Sequence, residues 1–260
     1  MDPLSYHLLN GIQWIDKLGA DEWKLHAVAT ASAVFFLGVR AAFGEKYGVK
    51  WDSFIHASIT GIGSLVAIYL SVYASSVLTG DEEPFATLEY CQQPLTSLHR
   101  ILPAILQGYA LCDILEALHL RSKGLGLEFL GHGIGTFLVT TTFIEANASH
   151  LLTFTLVMEI STIALGLLKA EFLSDAFKLV AMGMFVILFF LTRIVVFPYI
   201  YFKSIVVMRH GYCFPSYLFY ISVFFGIFFN ALNAFWFYKI VRKVHRKLSG
   251  AENALHACKE

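Results

Sequence analysis

The sequence predicts an all-α, polytopic membrane protein with about seven transmembrane helices. The chain has 260 residues, of which 57% are hydrophobic and only 15% are charged, and its mean hydropathy is +0.64. Soluble domains carry roughly 25% charged residues, so this chain lacks the polar groups that a water-exposed surface needs. Helices are expected because a helix satisfies its own backbone hydrogen bonds in lipid. The formal net charge is zero, which gives no indication of a nucleic-acid-binding surface.

Seven apolar stretches are long enough to cross a membrane, which takes about 20 predominantly apolar residues. They are predicted at residues 24–43, 53–79, 101–118, 127–144, 151–168, 176–202 and 214–238. The fourth and fifth stretches are short and closely spaced, so a tight hairpin between them is one arrangement that we expect. No linker is long enough to separate two domains. We therefore predict an N-terminal luminal or interfacial segment at 1–23, one transmembrane domain at 24–245 and a basic tail at 246–260.

The distribution of Lys and Arg favours a luminal N-terminus and a cytosolic C-terminus. In this orientation 13 of the 19 basic residues lie on the cytosolic side and five on the luminal side, as the positive-inside rule predicts. Cys91 and Cys213 then share the luminal side, where either a disulfide or two free thiols are compatible with the spacing. Asn147 begins a glycosylation sequon in a luminal loop so short that modification is not favoured.

Ionisable residues inside the spans are the candidate functional groups, because each costs about 2.5–3.5 kcal/mol to insert and needs a partner. They are His56, Asp113, Glu116, His119, His132, Glu159 and Arg193. All except Glu159 and Arg193 fall in the predicted cytosolic half of the membrane, which predicts a polar pocket open to the cytosolic leaflet. The alternative is that these groups form hydrogen-bonded pairs that hold helices together, and for Glu159 and Arg193 this alternative is favoured.

His132 is the candidate general base or nucleophile of this pocket, and Asp113 is the candidate carboxylate that orients it. The cavity lining is predicted to include His56, Tyr109, Glu116, Glu159 and Arg193. His132 lies between Gly131 and Gly133, and Gly131 forms a GxxxG pair with Gly135. Such a pair allows a neighbouring helix or a lipid chain to approach the backbone closely. His56 lies near a span end, so reaching towards the headgroups is an equal alternative for it. No metal site is predicted.

Six local patterns, in order along the chain, resemble the TRAM/LAG/CLN (TLC) domain family of multi-span membrane proteins. They are WDSFIHASITGIGSL (51–65), LQGYALCDILEAL (106–118), HGIGT (132–136), MEISTIALGLL (158–168), TRIVVFPYI (192–200) and NALNAFWFYKIVRK (230–243). The resemblance implies a barrel of helices around a polar chamber. The ceramide synthases of this family transfer an acyl group from acyl-CoA and depend on an adjacent His–His pair and on downstream aspartates.

This chain departs from the synthase pattern at two places. His132 matches the first histidine, but Gly133 stands where the second would be, and Glu159, Ser161 and Thr162 lie where the paired aspartates would be. Glycine cannot act as an acid, base or nucleophile, so the resemblance favours the branch of the family that does not synthesise ceramide. The expected function is lipid handling: binding of a lipid or acyl chain, or regulation of membrane lipid composition, with membrane lipids as partners.

Two other functions stay open. One is a divergent lipid acyltransferase that uses His132 and takes acyl-CoA as a substrate, with no further cofactor. The other is a trafficking or cargo factor between the endoplasmic reticulum and the Golgi. The family favours the endoplasmic reticulum or another endomembrane as the location.

Overall fold

The described part of this protein is all-α, as the sequence predicts. The computed structural model describes residues 21–44, 50–79, 97–120, 127–210 and 214–257, except for the side chains of 73–79, 120, 210 and 247–257. Within these residues seven helices are long and apolar enough to span a membrane. They are α1 (Glu22–Phe43), α2 (Trp51–Thr79), α3 (Leu98–Leu120), α4 (Leu127–Glu145), α5 (His150–Lys169), α6 (Asp175–Arg209) and α7 (Ser216–Ala257).

The predicted spans and the observed helices agree to within a few residues, except that α6 runs seven residues past its predicted end at 202 and α7 extends much further at the C-terminus. There α7 continues to Ala257, through most of the segment 246–260 that was predicted to be a separate tail. Lys, Arg, Leu and Ala dominate this part of the chain and no proline interrupts it, so the helix propensity stays high. Residues 1–20 of the segment predicted at 1–23 lie outside the described residues, and so do Cys91 and Cys213, for which either a disulfide or two free thiols was expected.

Six of the helices form a closed ring. Around the ring, α2 contacts α5, α5 contacts α6, α6 contacts α7, α7 contacts α4, α4 contacts α3, and α3 contacts α2 again. Helix α1 packs outside the ring, mainly on α3 and to a lesser extent on α2. The ring agrees with the barrel that the family resemblance implies. We call the two ends of the bundle the Arg40 end, where α1 finishes and α2 begins, and the His150 end, where α4 finishes and α5 begins.

Helices α4 and α5 do not form the hairpin that their short connection suggested. A turn at Ala146–Ser149 joins them, and Asn147 adopts the left-handed conformation there (φ 54°), which asparagine tolerates well. The main neighbours of α4 are α3 and α7, whereas those of α5 are α2 and α6. The two helices therefore lie on opposite sides of the ring and meet only at their joined ends.

Prolines introduce two irregularities that shape the ring. Pro103 in α3 has no N–H to donate to the carbonyl of His99, and the Thr153 hydroxyl of α5 donates to that carbonyl instead, at 2.5 Å. In α6, Pro198 follows a π-helical segment at Phe190–Val196. The proline ring crowds the carbonyl four residues earlier, which accounts for the widened turns before it. This segment carries Arg193.

Gly108 allows α1 and α3 to approach each other closely. A Cβ atom at this position would lie 2.2 Å from the carbonyl oxygen of Ala29 and 2.7 Å from the amide nitrogen of Ala33. Ser32 of α1 donates to the Ile105 carbonyl of α3 at 2.9 Å across the same contact. Small residues and side chain to backbone hydrogen bonds of this kind are the usual means of helix association in lipid.

Candidate functional site

A cavity lies inside the ring, towards the His150 end. It holds about 670 Å3 of unoccupied space, including its opening, and its wall is formed by α3, α4, α5, α6 and α7. The large side chains of the wall are apolar or aromatic, among them Phe143, Leu151, Phe197, Phe225 and Phe229. The position is that expected for a ligand site between the helices of a bundle.

The hydroxyl groups of the wall are mostly engaged by the protein itself. Thr140, Thr155 and Ser204 donate to carbonyls of their own helices at 2.7–2.9 Å. Tyr201 donates to the Val223 carbonyl at 3.1 Å, and Ser222 lies 3.3 Å from the Met208 sulfur. A hydroxyl that donates to its own helix has no proton left to donate to a ligand. The chamber is therefore more apolar than the family resemblance implied.

A buried ion pair joins α5 to α6 beside the cavity. Arg193 Nη2 lies 3.3 Å from Glu159 Oε1, and both residues are less than 10% exposed. The guanidinium also donates to the hydroxyls of Ser161 at 3.0 Å and Thr162 at 3.1 Å, and Thr162 donates to Glu159 Oε2 at 3.0 Å. Glu159 ends a 3₁₀ segment and Arg193 lies in the π segment, so both charges occupy irregular turns. Such turns are frequent at functional sites.

His132 lies between the cavity and this polar network. Its ring is 5.7 Å from the ring of Phe229 and 5.3 Å from that of Trp236, both on α7. It is close enough to Arg193 and Glu159 for electrostatic interaction, but it makes no side-chain hydrogen bond within the described residues. None of the carboxylates that the structure describes therefore holds the imidazole in a fixed orientation in this state.

The glycines around His132 pack against two different helices, α7 and α3. A Cβ at Gly135 would lie 3.2 Å from the Phe228 ring of α7, and a Cβ at Gly131 would lie 3.6 Å from the same ring. The GxxxG pair thus accommodates a neighbouring helix, one of the two partners expected from the sequence. Gly133 points the other way, since its Cβ would lie 3.1 Å from Ile114 of α3.

His56 and Tyr109 form a stacked pair where α2 meets α3. Their ring centroids are 3.9 Å apart with an angle of 7° between the planes, and Phe36 of α1 packs edge-on against both rings. His56 is only 2% exposed, so it does not reach towards the headgroups, which was one of its two interpretations. Its Nε2 atom is buried without a hydrogen-bond partner among the residues that the structure describes.

Asp113 and Glu116 belong to a separate charge cluster at the Arg40 end. Arg40 of α1 forms an ion pair with the buried Asp52 of α2, and its guanidinium lies 3.2 Å from Glu116 and 3.7 Å from Asp113. Lys50 contacts Glu116 at 2.6 Å. These contacts tie α1, α2 and α3 together, so the carboxylates of α3 contribute to helix packing.

The structure thus divides the predicted site residues into two groups. Glu159, Arg193 and His132 lie within electrostatic range of one another in the interior, whereas Asp113 and Glu116 lie beside Arg40 and Lys50. The stacked pair of His56 and Tyr109 lies between the groups, since His56 is in range of Glu159 and Tyr109 is hydrogen-bonded to Asp113. Asp52 and Arg40 were not among the predicted site residues. An arginine in the last turn of a span, followed by an aspartate at the start of the next, was the sequence signal for this cluster.

Comparison with protein families decides the identity of the fold. A family model described as the TLC domain matches residues 46–242, which is about three quarters of the chain. The chain belongs to the TLC-domain family. The match covers all six helices of the ring up to residue 242 of α7, and α1 precedes it. No curated protein and no solved structure matches the chain.

Membership makes this TLC-domain protein a multi-pass membrane protein with a lipid-related function. The structure also explains its departure from the synthase pattern at Gly133. A side chain at this position would be directed at the backbone of α3, near Ile114 and the Ala110 carbonyl. A single methyl group there would need only a small shift of Ile114, whereas an imidazole would be directed into the contact between α3 and α4 of this TLC-domain protein.

Proposed function

We propose that the protein binds the hydrocarbon part of a membrane lipid in the cavity inside the ring, and that it acts in lipid handling through this binding. The observation that carries the proposal is the closed ring around an apolar chamber. Pockets that bind small ligands have mostly apolar walls, as this cavity has. Membership of the TLC-domain family, which implies a lipid-related function, also supports lipid binding.

Binding is favoured over catalysis by the surroundings of His132. A catalytic imidazole is usually oriented by a hydrogen bond from a third group, and His132 lacks one within the described residues. The second candidate function, acyl transfer from acyl-CoA with His132 as base or acyl acceptor, is supported by the position of this ring beside the cavity and within range of Glu159. Whole-cell lipid profiles distinguish the two functions.

The test of binding is a substitution that fills the cavity. Val139 lines the cavity and is buried, so Val139→Trp places an indole where the hydrocarbon would lie. We expect lipid that co-purifies with the wild-type protein, measured by mass spectrometry after detergent extraction, to fall by more than half in this variant. The matched control is Val195→Trp on α6, because Val195 is 48% exposed on the outer surface and this change should leave the bound lipid unaltered. Equal lipid content in all three proteins would refute binding in the cavity.

Whole-cell lipid profiles distinguish binding from acyl transfer. If the protein only binds lipid, His132→Ala should shift the profile of expressing cells as the wild type does, whereas Val139→Trp should not. If His132 carries acyl transfer, both variants should lose the shift at matched expression. Only the second result would support acyl-CoA as a substrate.

We further propose that the protein resides in the endoplasmic reticulum or another endomembrane, with its N-terminus in the lumen. The excess of Lys and Arg at the Arg40 end supports this orientation. Epitope tags at the two termini provide the test. In sealed microsomes we expect protease to remove the C-terminal tag and to leave the N-terminal one. The reverse pattern would show that the orientation is wrong.

A further inference from the structure

We propose that Asn233 and Trp236 of α7 form the polar end of the lipid site and donate hydrogen bonds to the carbonyl oxygen of a neutral acyl lipid, an ester or an amide. This inference rests on the proposed function, since it specifies which part of the lipid lies next to the cavity. Neither residue belongs to the ionisable groups that the sequence singled out.

Both residues carry a buried donor without a partner. The Nδ2 atom of Asn233 and the Nε1 atom of Trp236 have no hydrogen-bond partner in the part of the chain that the structure describes, and Asn233 is only 3% exposed. A buried donor left unpaired costs about 1–3 kcal/mol, so most such donors in proteins are paired. Two of them one turn apart on the same helix indicate that a ligand supplies the acceptor.

Their position on α7 places these donors next to the cavity. Phe229 lines the cavity, Asn233 follows it by four residues and Trp236 by seven, so the three lie on one face of the helix. His132 contacts the rings of both Phe229 and Trp236, which bracket Asn233. The donors therefore lie one to two turns beyond the lining residue Phe229, on the Arg40 side of the cavity.

A second asparagine on the same helix shows that the missing partner is specific to Asn233. Asn230 lies three residues earlier, and its Nδ2 atom donates to the Gly226 carbonyl of its own helix at 2.7 Å. An asparagine in α7 is therefore able to satisfy itself locally.

The charges nearby favour a neutral headgroup over a carboxylate. Arg193 and Glu159 neutralise each other, and Arg193 lies over the ring of Phe189, which belongs to the apolar cluster that packs against Trp236. The interior cation nearest this cluster, Arg193, is already paired with Glu159, and burying an unpaired carboxylate is far more costly than burying a carbonyl. An ester or amide carbonyl accepts two hydrogen bonds and carries no charge, so it matches the two donors.

The test compares three radiolabelled ligands of the same chain length: methyl palmitate, palmitate and hexadecane. Binding to the full-length protein in nanodiscs is measured by scintillation proximity. The wild type should prefer methyl palmitate to both hexadecane and palmitate. Asn233→Leu and Trp236→Phe should each weaken the binding of methyl palmitate by roughly 3- to 10-fold, which corresponds to the loss of one hydrogen bond. The affinity for hexadecane should stay unchanged. Asn230→Leu is the matched control and should leave all three affinities unchanged.

The outcomes separate this inference from the proposed function. If the wild type binds none of the three ligands, the proposed function fails. If it binds hexadecane and methyl palmitate equally well, the cavity binds hydrocarbon but the inference about the donors is wrong. If the wild type prefers palmitate, the inference that the headgroup is neutral is wrong. Because these comparisons use the wild type, they hold even if one variant fails to fold, and unchanged hexadecane binding shows that a variant has folded.

Discussion

Replacing Arg193 with methionine is expected to lower the free energy of unfolding by about 3–5 kcal/mol, because it leaves the buried carboxylate of Glu159 without its partner. The same change removes the donors to Ser161 and Thr162, so three acceptors lose a hydrogen bond at once. The measurement is thermal unfolding of the purified protein in detergent, followed by the loss of the monodisperse peak in size-exclusion chromatography.

The control is the double variant Glu159→Gln with Arg193→Met, which removes both charges. Replacing a buried ion pair by neutral groups is often nearly neutral, so most of the lost stability should return. A stable Arg193→Met single variant would contradict the ion pair between α5 and α6. A double variant no more stable than Arg193→Met alone would show that the hydroxyl contacts, and not the charge of Glu159, account for the loss.

Gly108→Ala is expected to separate α1 from α3 and to destabilise the protein by about 1–3 kcal/mol, the usual cost of overpacking. The added methyl group would lie 2.2 Å from a backbone carbonyl of α1, and backbone atoms cannot move aside as a flexible side chain can. Thermal unfolding in detergent again measures the effect.

Gly38→Ala provides the matched comparison. Gly38 lies on α1, and a methyl group at this position would have no described atom of a neighbouring residue within 4 Å. Alanine should therefore be neutral or slightly stabilising there through its higher helix propensity. Equal effects of the two substitutions would mean that helix propensity, and not the contact between α1 and α3, determines stability at Gly108.

The number and position of the helices could be predicted from the sequence because membrane insertion depends on local properties. A stretch of about twenty apolar residues is long enough to cross the hydrocarbon core of the bilayer, whatever the rest of the chain contains. The presence of partners for the buried charges could also be predicted, since an unpaired charge in lipid is too costly. For Glu159 and Arg193 the favoured pairing agrees with the 3.3 Å contact.

The choice of partners could not be predicted in the same way. Asp113 is near Arg40, 73 residues earlier in the chain, and this contact depends on α1 packing against α3. Helix periodicity shows which residues share a face but not which helix that face meets. The opposite placement of α4 and α5 was missed for this reason, since a short connection indicates proximity only at the joined ends.

The order of the helices around the ring has a consequence for biosynthesis. The ribosome produces α4 well before α7, yet these two helices form the seam that closes the ring. Until α7 leaves the translocon, the nascent chain has an open side there, and Gly131, His132 and Gly135 have no α7 aromatics to cover them. The chamber therefore forms only after α7 has been synthesised, and a chain truncated before residue 216 has no enclosed interior.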